Sequence, residues 1–224
     1  WNGETYDACT IEATNCAIPN LSAPEGGILR LNIFGECTMD GGGTEYSCFE
    51  GFDCVLITGS GTLTIVNTSG LDCGGESLPL PALMLDGNMT LRCESIRLTP
   101  SGDAPALAVL SGDLCTEQLW LNGGELVNAG GAVLARNVFQ PSRAILRGGT
   151  MLLDTLDGSA VFLLSGGAGH IADALPAGSV VEGGAGTFST PDFSDAVIHD
   201  YAASAALWDG AEDSAPAASG AGYY

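Results

Sequence analysis

Short apolar strands punctuated by glycine recur along the middle of this chain, which restricts it to architectures built by stacking repeated turns. Pro105-Ala-Leu-Ala-Val-Leu-Ser-Gly112, Gly131-Ala-Val-Leu-Ala-Arg-Asn137 and Ser159-Ala-Val-Phe-Leu-Leu-Ser-Gly166 share one pattern, each opening a unit of about 26 residues. Pro81-Ala-Leu-Met-Leu-Asp-Gly87 is an earlier copy. In the two best units a second strand runs into a Gly-Gly step and a third strand follows, over Gln118 to Asn128 and Ala144 to Asp154. Three short strands per unit predict an all-β chain, a right-handed single-stranded parallel β-helix (a β-solenoid) with an N-terminal cap and a short C-terminal helix or tail.

Charge narrows the partners. The chain carries 27 acidic side chains against six arginines and no lysine, a formal net charge of −21. Binding to a phosphate backbone is electrostatically unfavourable, so nucleic acid is excluded as a partner, and an anionic membrane surface is disfavoured for the same reason. No apolar run approaches the roughly 18 residues of a spanning helix. The hydrophobic fraction of 46% still allows a sizeable core despite 33 glycines and 10 prolines.

Eight cysteines, Cys9, Cys16, Cys37, Cys48, Cys54, Cys73, Cys93 and Cys115, all fall in the first 115 residues. Their even number in an acidic, loop-rich chain makes all eight disulfide candidates and points to a secreted or cell-surface location. The spacings from Cys54 to Cys73, Cys93 and Cys115 are 19, 20 and 22 residues, near one coil, which invites a stacked ladder of cysteines. Anchoring the units on their glycines instead sets Cys93 beside Leu121 and breaks the ladder at Cys115. Cys9 and Cys16 form an alternative local bridge, and free buried thiols are the plain competitor. Zinc has little support, because no Cys-x-x-Cys pair occurs and His170 and His199 are remote from the cysteines. Asn20-Leu-Ser, Asn67-Thr-Ser and Asn88-Met-Thr fit the N-glycosylation acceptor pattern.

Three zones follow. Residues 1–25 read as a cap, 26–190 as the β-helix, and 191–224 as a C-terminal cap followed by an acidic Ala/Gly-rich tail. Opening strands are expected at Gly27 to Phe34, Cys54 to Ile57 and Gly61 to Asn67, with Met39 to Phe52 as an excursion from the coil. Ser194 can cap a helix through Leu207, with Val197, Tyr201, Ala205 and Trp208 at helical spacing.

Gly59-Ser-Gly-Thr-Leu-Thr-Ile65, Leu119-Trp-Leu-Asn-Gly-Gly-Glu-Leu-Val127 and Ile145-Leu-Arg-Gly-Gly-Thr-Met-Leu152 resemble the coils of exported bacterial carbohydrate-binding-domain-containing proteins, over roughly residues 55 to 190. The resemblance implies a β-helix of the pectate-lyase-like kind, export and a sugar-binding role. It brings no binding motif to transfer.

No catalytic constellation stands out. His170 lies in Gly167-Ala-Gly-His-Ile, unlike the Gly-His-Gly and Arg-x-Lys of polygalacturonase-like enzymes, and neither histidine can be placed beside a serine. Paired carboxylates carry little information among 27 acids. The chain therefore reads as a non-enzyme, with a polysaccharide lyase or glycosidase as the remote alternative. No cofactor is implied, although calcium could be held by Glu45, Glu50 and Asp53 within the acidic stretch from Glu36 to Asp53.

For a sugar ligand, alternation in Leu119-Trp120-Leu121 turns Trp120 outward. The glycine-anchored alignment places it between Arg92 and Ile145, so Trp120, Arg92 and Arg147 are the candidate ligand contacts. The expected function is a recognition module engaging carbohydrate or a cell-surface protein, with a self-assembling structural or adhesion module as the other reading.

Overall fold

The computed structural model describes residues 8–23, 26–41, 48–68, 70–72, 77–87, 89–200, 205–208 and 222–223. The chain winds into a parallel β-solenoid of about nine turns, and no helix occurs among the described residues. The first turn comprises β1 (Ala8–Thr14), β2 (Ala17–Ile18) and β3 (Leu21–Ser22). The second comprises β4 (Ile28–Phe34), β5 (Glu36–Asp40) and β6 (Phe49–Glu50). Next come β7 (Cys54–Thr58) and β8 (Thr62–Val66), then a lateral antiparallel hairpin of β9 (Gly70–Asp72) and β10 (Ser77–Pro79), then β11 (Leu83–Leu85). Longer strands that bend across a corner, β12 (Thr90–Thr99), β14 (Asp113–Trp120), β16 (Ala132–Phe139) and β18 (Thr150–Asp157), then alternate with the short strands β13 (Leu107–Val109), β15 (Glu125–Asn128) and β17 (Arg143–Leu146). The last turns hold β19 (Val161–Ile171), β20 (Val180–Ser189), β21 (Val197–Asp200) and β22 (Ala205–Trp208), and β23 (Gly222–Tyr223) pairs antiparallel with β21.

Pairing sorts these strands onto three faces. The first runs from β1 through β4, β7 and the opening halves of β12, β14, β16 and β18 to the closing halves of β19 and β20. The second takes β2, β5, β8 and the closing halves of β12, β14, β16 and β18. The third stacks β11, β13, β15, β17, the opening halves of β19 and β20, and β21. Alternation along each strand sends one set of side chains into a single core. Leu91, Leu114, Val133 and Met151 from the first face meet Leu107, Leu126, Leu146 and Phe162 from the third, all buried.

The turn is shorter than the sequence pattern implied. Leu107, Leu126, Ala144 and Phe162 stack in successive coils 19, 18 and 18 residues apart, not about 26. Pro105–Gly112 and Ser159–Gly166 lie on the third face, but Gly131–Asn137 lies on the first, so the three segments are not equivalent positions of one unit.

A glycine column sets the true period. Gly112, Gly131, Gly149, Gly167 and Gly186 occupy one corner in consecutive coils, and a Cβ on Gly131 or Gly149 would stand 1.9 or 2.1 Å from the carbonyl oxygen of the glycine one coil back. Only a hydrogen at that position lets the carbonyls of one coil meet the amides of the next, as in the bonds from Ala132 N to Gly112 O and Thr150 N to Gly131 O.

The ladder also extends past its expected limits. Ala8–Thr14 pairs in parallel with Ile28–Phe34, ahead of residue 26, and β22 stacks on β20 beyond residue 190. The C-terminal helix expected from Ser194 to Leu207 is not formed: Val197–Asp200 and Ala205–Trp208 are strands. Stacking on β20 supplies those strands with backbone partners and buries Ile198, which outweighs a weak helical spacing. Of the excursion expected between Met39 and Phe52, Met39, Cys48 and Phe49 belong instead to the core, and 42–47 lie outside the described residues.

Candidate functional site

A concavity lies where β12, β14, β16 and β18 bend from the first face to the second. On the first face the register aligns Arg92, Cys115, Leu134 and Leu152 in one outward column. Beside it, at the corner, stand Glu117, Arg136 and Asp154. Together they line an open groove of about 540 Å³. Its floor is apolar, with Leu134 and Leu152 37% and 40% exposed. Its rim is charged: Arg136 Nη1 lies 2.9 Å from Glu117 Oε2, and Arg136 Nε lies 3.5 Å from Asp154 Oδ2. All three side chains are more than half exposed, so these pairs contribute little stability and can exchange for a ligand.

The outward column continues as Leu56, Arg92, Cys115, Leu134, Leu152, His170 and Ser189 without a carboxylate. His170 Nδ1 lies 2.8 Å from Ser189 Oγ. Sequence reasoning could not bring a serine to either histidine, because a contact 19 residues apart requires the register. The pair is exposed on a flat strand surface, which offers no enclosed site for a reacting group.

Trp120 does face outward, on the second face, but its neighbours differ from those expected. It stacks between Arg97 and Phe139, whereas Arg92 stacks on Cys115 on the first face and Ile145 stacks on Val127 on the third. The indole and the Phe139 ring lie 4.1 Å apart at 15°, and the Arg97 guanidinium sits 5.2 Å from the indole centroid. Arg97 and Phe139 come from the coils on either side of Trp120, so both indole faces are engaged. The arrangement ties three coils together and leaves no flat indole face for a sugar ring. Arg147 lies at the corner between the third and first faces and is exposed. The three residues grouped for ligand contact thus stand on different parts of the surface.

The acidic candidates also separate. Asp53 accepts a hydrogen bond from the backbone N of Gly27 at 3.1 Å, Glu50 lies exposed in β6, and Glu45 falls outside the described residues. Among the described residues no group of three or more His, Cys, Asp or Glu side chains gathers as a metal site.

The seven described cysteines are all unbridged thiols, and Cys73 lies outside the described residues. Cys93 stacks between Ile57 and Thr116, not beside Leu121, and Cys115 between Arg92 and Leu134, so the cysteines form no ladder. A one-residue offset turns Cys93 inward and Cys115 outward. Burial pushes the Cys48 thiol up to about 12 and the Cys93 thiol up to about 11, and it raises Cys115 as well. Of the glycosylation acceptors, Asn67 is buried and donates to Pro81 O, Asn20 is exposed and donates to Gly41 O, and Asn88 lies outside the described residues.

No helix among the described residues is long and apolar enough to cross a membrane. No family model, characterised protein or solved structure matches the chain.

Proposed function

We propose that this chain is a non-catalytic recognition module, secreted or displayed at a cell surface, that binds carbohydrate along its first face. The observation that carries the reading is the groove over Leu134 and Leu152. A pyranose has an apolar C–H face and a polar circumference, and the groove has an apolar floor with Arg92, Glu117, Arg136 and Asp154 around it. Guanidinium donors and carboxylate acceptors on one rim can hydrogen-bond vicinal hydroxyls. Glu117 and Asp154 both bind Arg136, which supports a structural role for these carboxylates rather than that of an acid and base poised across a bond. The location outside the cell rests on the cysteine-rich, lysine-free, acidic composition.

The test is a glycan-array measurement on purified protein, with calcium present and chelated, alongside Leu152→Asp and Trp120→Ala. Leu152 is exposed, so its replacement spares the fold. Binding that is lost in Leu152→Asp and kept in Trp120→Ala supports the groove. The reverse pattern returns the site to the second face, and no binding by the parent protein defeats the carbohydrate reading.

A further inference from the structure

The third face has a character that sugar binding does not use. Its outward side chains form two columns, one of Met84, the buried Ala108, Val127, Ile145, Leu163, Glu182 and His199, the other of Glu125, Arg143, Val161, Val180 and Val197. A solvated sheet face normally carries polar residues in these positions. The second face of this same solenoid does so, with Gln118, Asn137 and Thr155 in one column. On the third face most of the outward positions are aliphatic, and the Arg143 guanidinium is paired with Glu125.

We propose that the third face is a self-association surface on which two copies pair side by side, running in opposite axial directions. Charge favours this face. Two chains of net charge −21 repel, and they can approach most closely where their surfaces are apolar and internally neutralised. Geometry favours a second copy as the occupant. With a two-fold axis through the coil of Val161 and Leu163, those residues meet their own counterparts. The coil holding Arg143 and Ile145 then faces the coil holding Val180 and Glu182 in the other copy. Arg143 comes within reach of Glu182 of the partner subunit, and symmetry repeats the contact, as an isologous interface requires. A hollow of about 420 Å³ lies at this centre, lined by Ser142, Arg143, Val161, Leu163 and Glu182, with room for the opposing aliphatic side chains.

The face is small. From Met84 to Val197 it spans six coil steps, roughly 29 Å, and four residues across give about 13 Å. A patch of that size sits below the usual range for stable dimers, so the association is concentration-dependent. Its salt response has a distinctive sign: screening the mutual repulsion of two acidic rods strengthens the dimer, whereas an interface held by ion pairs weakens.

Sedimentation over a concentration series at low and high salt tests the proposal on the full chain. The expected result is a mass rising toward that of a dimer, more steeply at high salt. Leu163→Asp should abolish the rise while leaving the circular dichroism melting profile in place. Glu182→Arg should weaken association several-fold, and adding Arg143→Glu should return it toward the parent value. A monomer under every condition overturns the proposal, as does a dimer indifferent to Leu163→Asp. Failure of the charge reversal to restore association overturns the opposed arrangement. A dimer that appears only after removal of residues 209–224 also overturns it, because the chain's own end would then be the occupant of the face.

Discussion

From Asp113 to Ala168 the solenoid repeats with near-constant length, Asp113, Ala132, Thr150 and Ala168 stacking 19, 18 and 18 residues apart. From Ile28 to Asp113 the corresponding steps, through Cys54 and Thr90, are 26, 36 and 23 residues. Both regions keep the same parallel ladder and the same core. What differs is the corner before each first-face strand. In the regular region it is glycine in every coil, while Asp53 and Met89 stand in that position earlier. A β-solenoid thus tolerates variable connections so long as strand register is kept, and it becomes uniform where one corner admits only glycine.

Breaking the glycine corner should have the largest effect. In Gly131→Ala the new methyl would stand 1.9 Å from Gly112 O, a backbone atom that cannot rotate away. We expect a loss of about 3 kcal/mol or more in a denaturant titration. A loss below about 1 kcal/mol would mean that the corner relaxes and does not fix the turn length.

Seven of the eight cysteines precede Asp113, Cys115 being the exception, so alkaline pH should separate the two regions next. Cys48 and Cys93 keep their protons in the folded state up to about 12 and about 11, against an ordinary value of 9.0. Below pH 9.0 both folded and unfolded thiols are neutral, and the folded state keeps its full stability. Above it the unfolded chain ionises first, so stability falls until the folded thiols titrate too. Urea midpoints measured from neutral pH upward should show this fall, and Cys48→Ala should reduce it. In the native protein the exposed Cys16 should react with a thiol reagent well before Cys48.

The regular region contains a polar counterpart to the glycine corner. Asn128 is fully buried, donates from Nδ2 to Gly131 O and Thr150 O, and accepts at Oδ1 from Gly130 N. Asn128→Ala removes these three bonds from a buried corner, although Gly131 O keeps its bond from Thr150 N, and should cost about 2 kcal/mol. Hydrogen exchange should show faster opening at Gly130 and its neighbours than in the preceding coils. Uniform loss across all coils would show that the asparagine supports the whole rod and not one corner.

The contrast also explains what the residues alone conveyed. Strand-glycine alternation revealed a parallel solenoid, because every face buries alternate side chains in the same way. That sameness hid the phase. Segments from the first and third faces share one apolar pattern, so the pattern groups Gly131–Asn137 with two third-face strands and makes the turn too long. The signal for the true turn lay in glycines at 112, 131, 149, 167 and 186. Trp120 was readable as outward, but its partners Arg97 and Phe139 depend on register and could not be read from local spacing. The groove was hidden for the same reason: Arg92, Leu134 and Leu152 belong to three coils and share no motif.

Trp120→Ala probes a smaller contribution. It removes one stacked ring pair and one cation–π contact from a half-buried position, for about 1–2 kcal/mol. A parallel loss in Phe139→Ala, with little added in the double variant, would establish that the two rings act as one unit. Full additivity would reduce each ring to its separate contacts.

Least of all should be felt on removing the hairpin of β9 and β10. It interrupts the passage from β8 to β11, where later coils cross from second to third face through steps as short as Gln140-Pro141-Ser142. Its two strands pair with each other and join no other sheet, so the stacked ladder does not depend on them. Deleting Gly70 to Pro79 should keep Asn67 close enough to bond Pro81 O and shorten the loop to be closed on folding. Loop closure changes slowly with length, so the shift should stay under about 1 kcal/mol. A ten-residue deletion within β16 and its flanks should abolish folding, because it shifts every later strand out of register. If the hairpin deletion proves equally damaging, the irregular region is not a set of tolerated insertions on a regular ladder, and its excursions must brace the coils they leave.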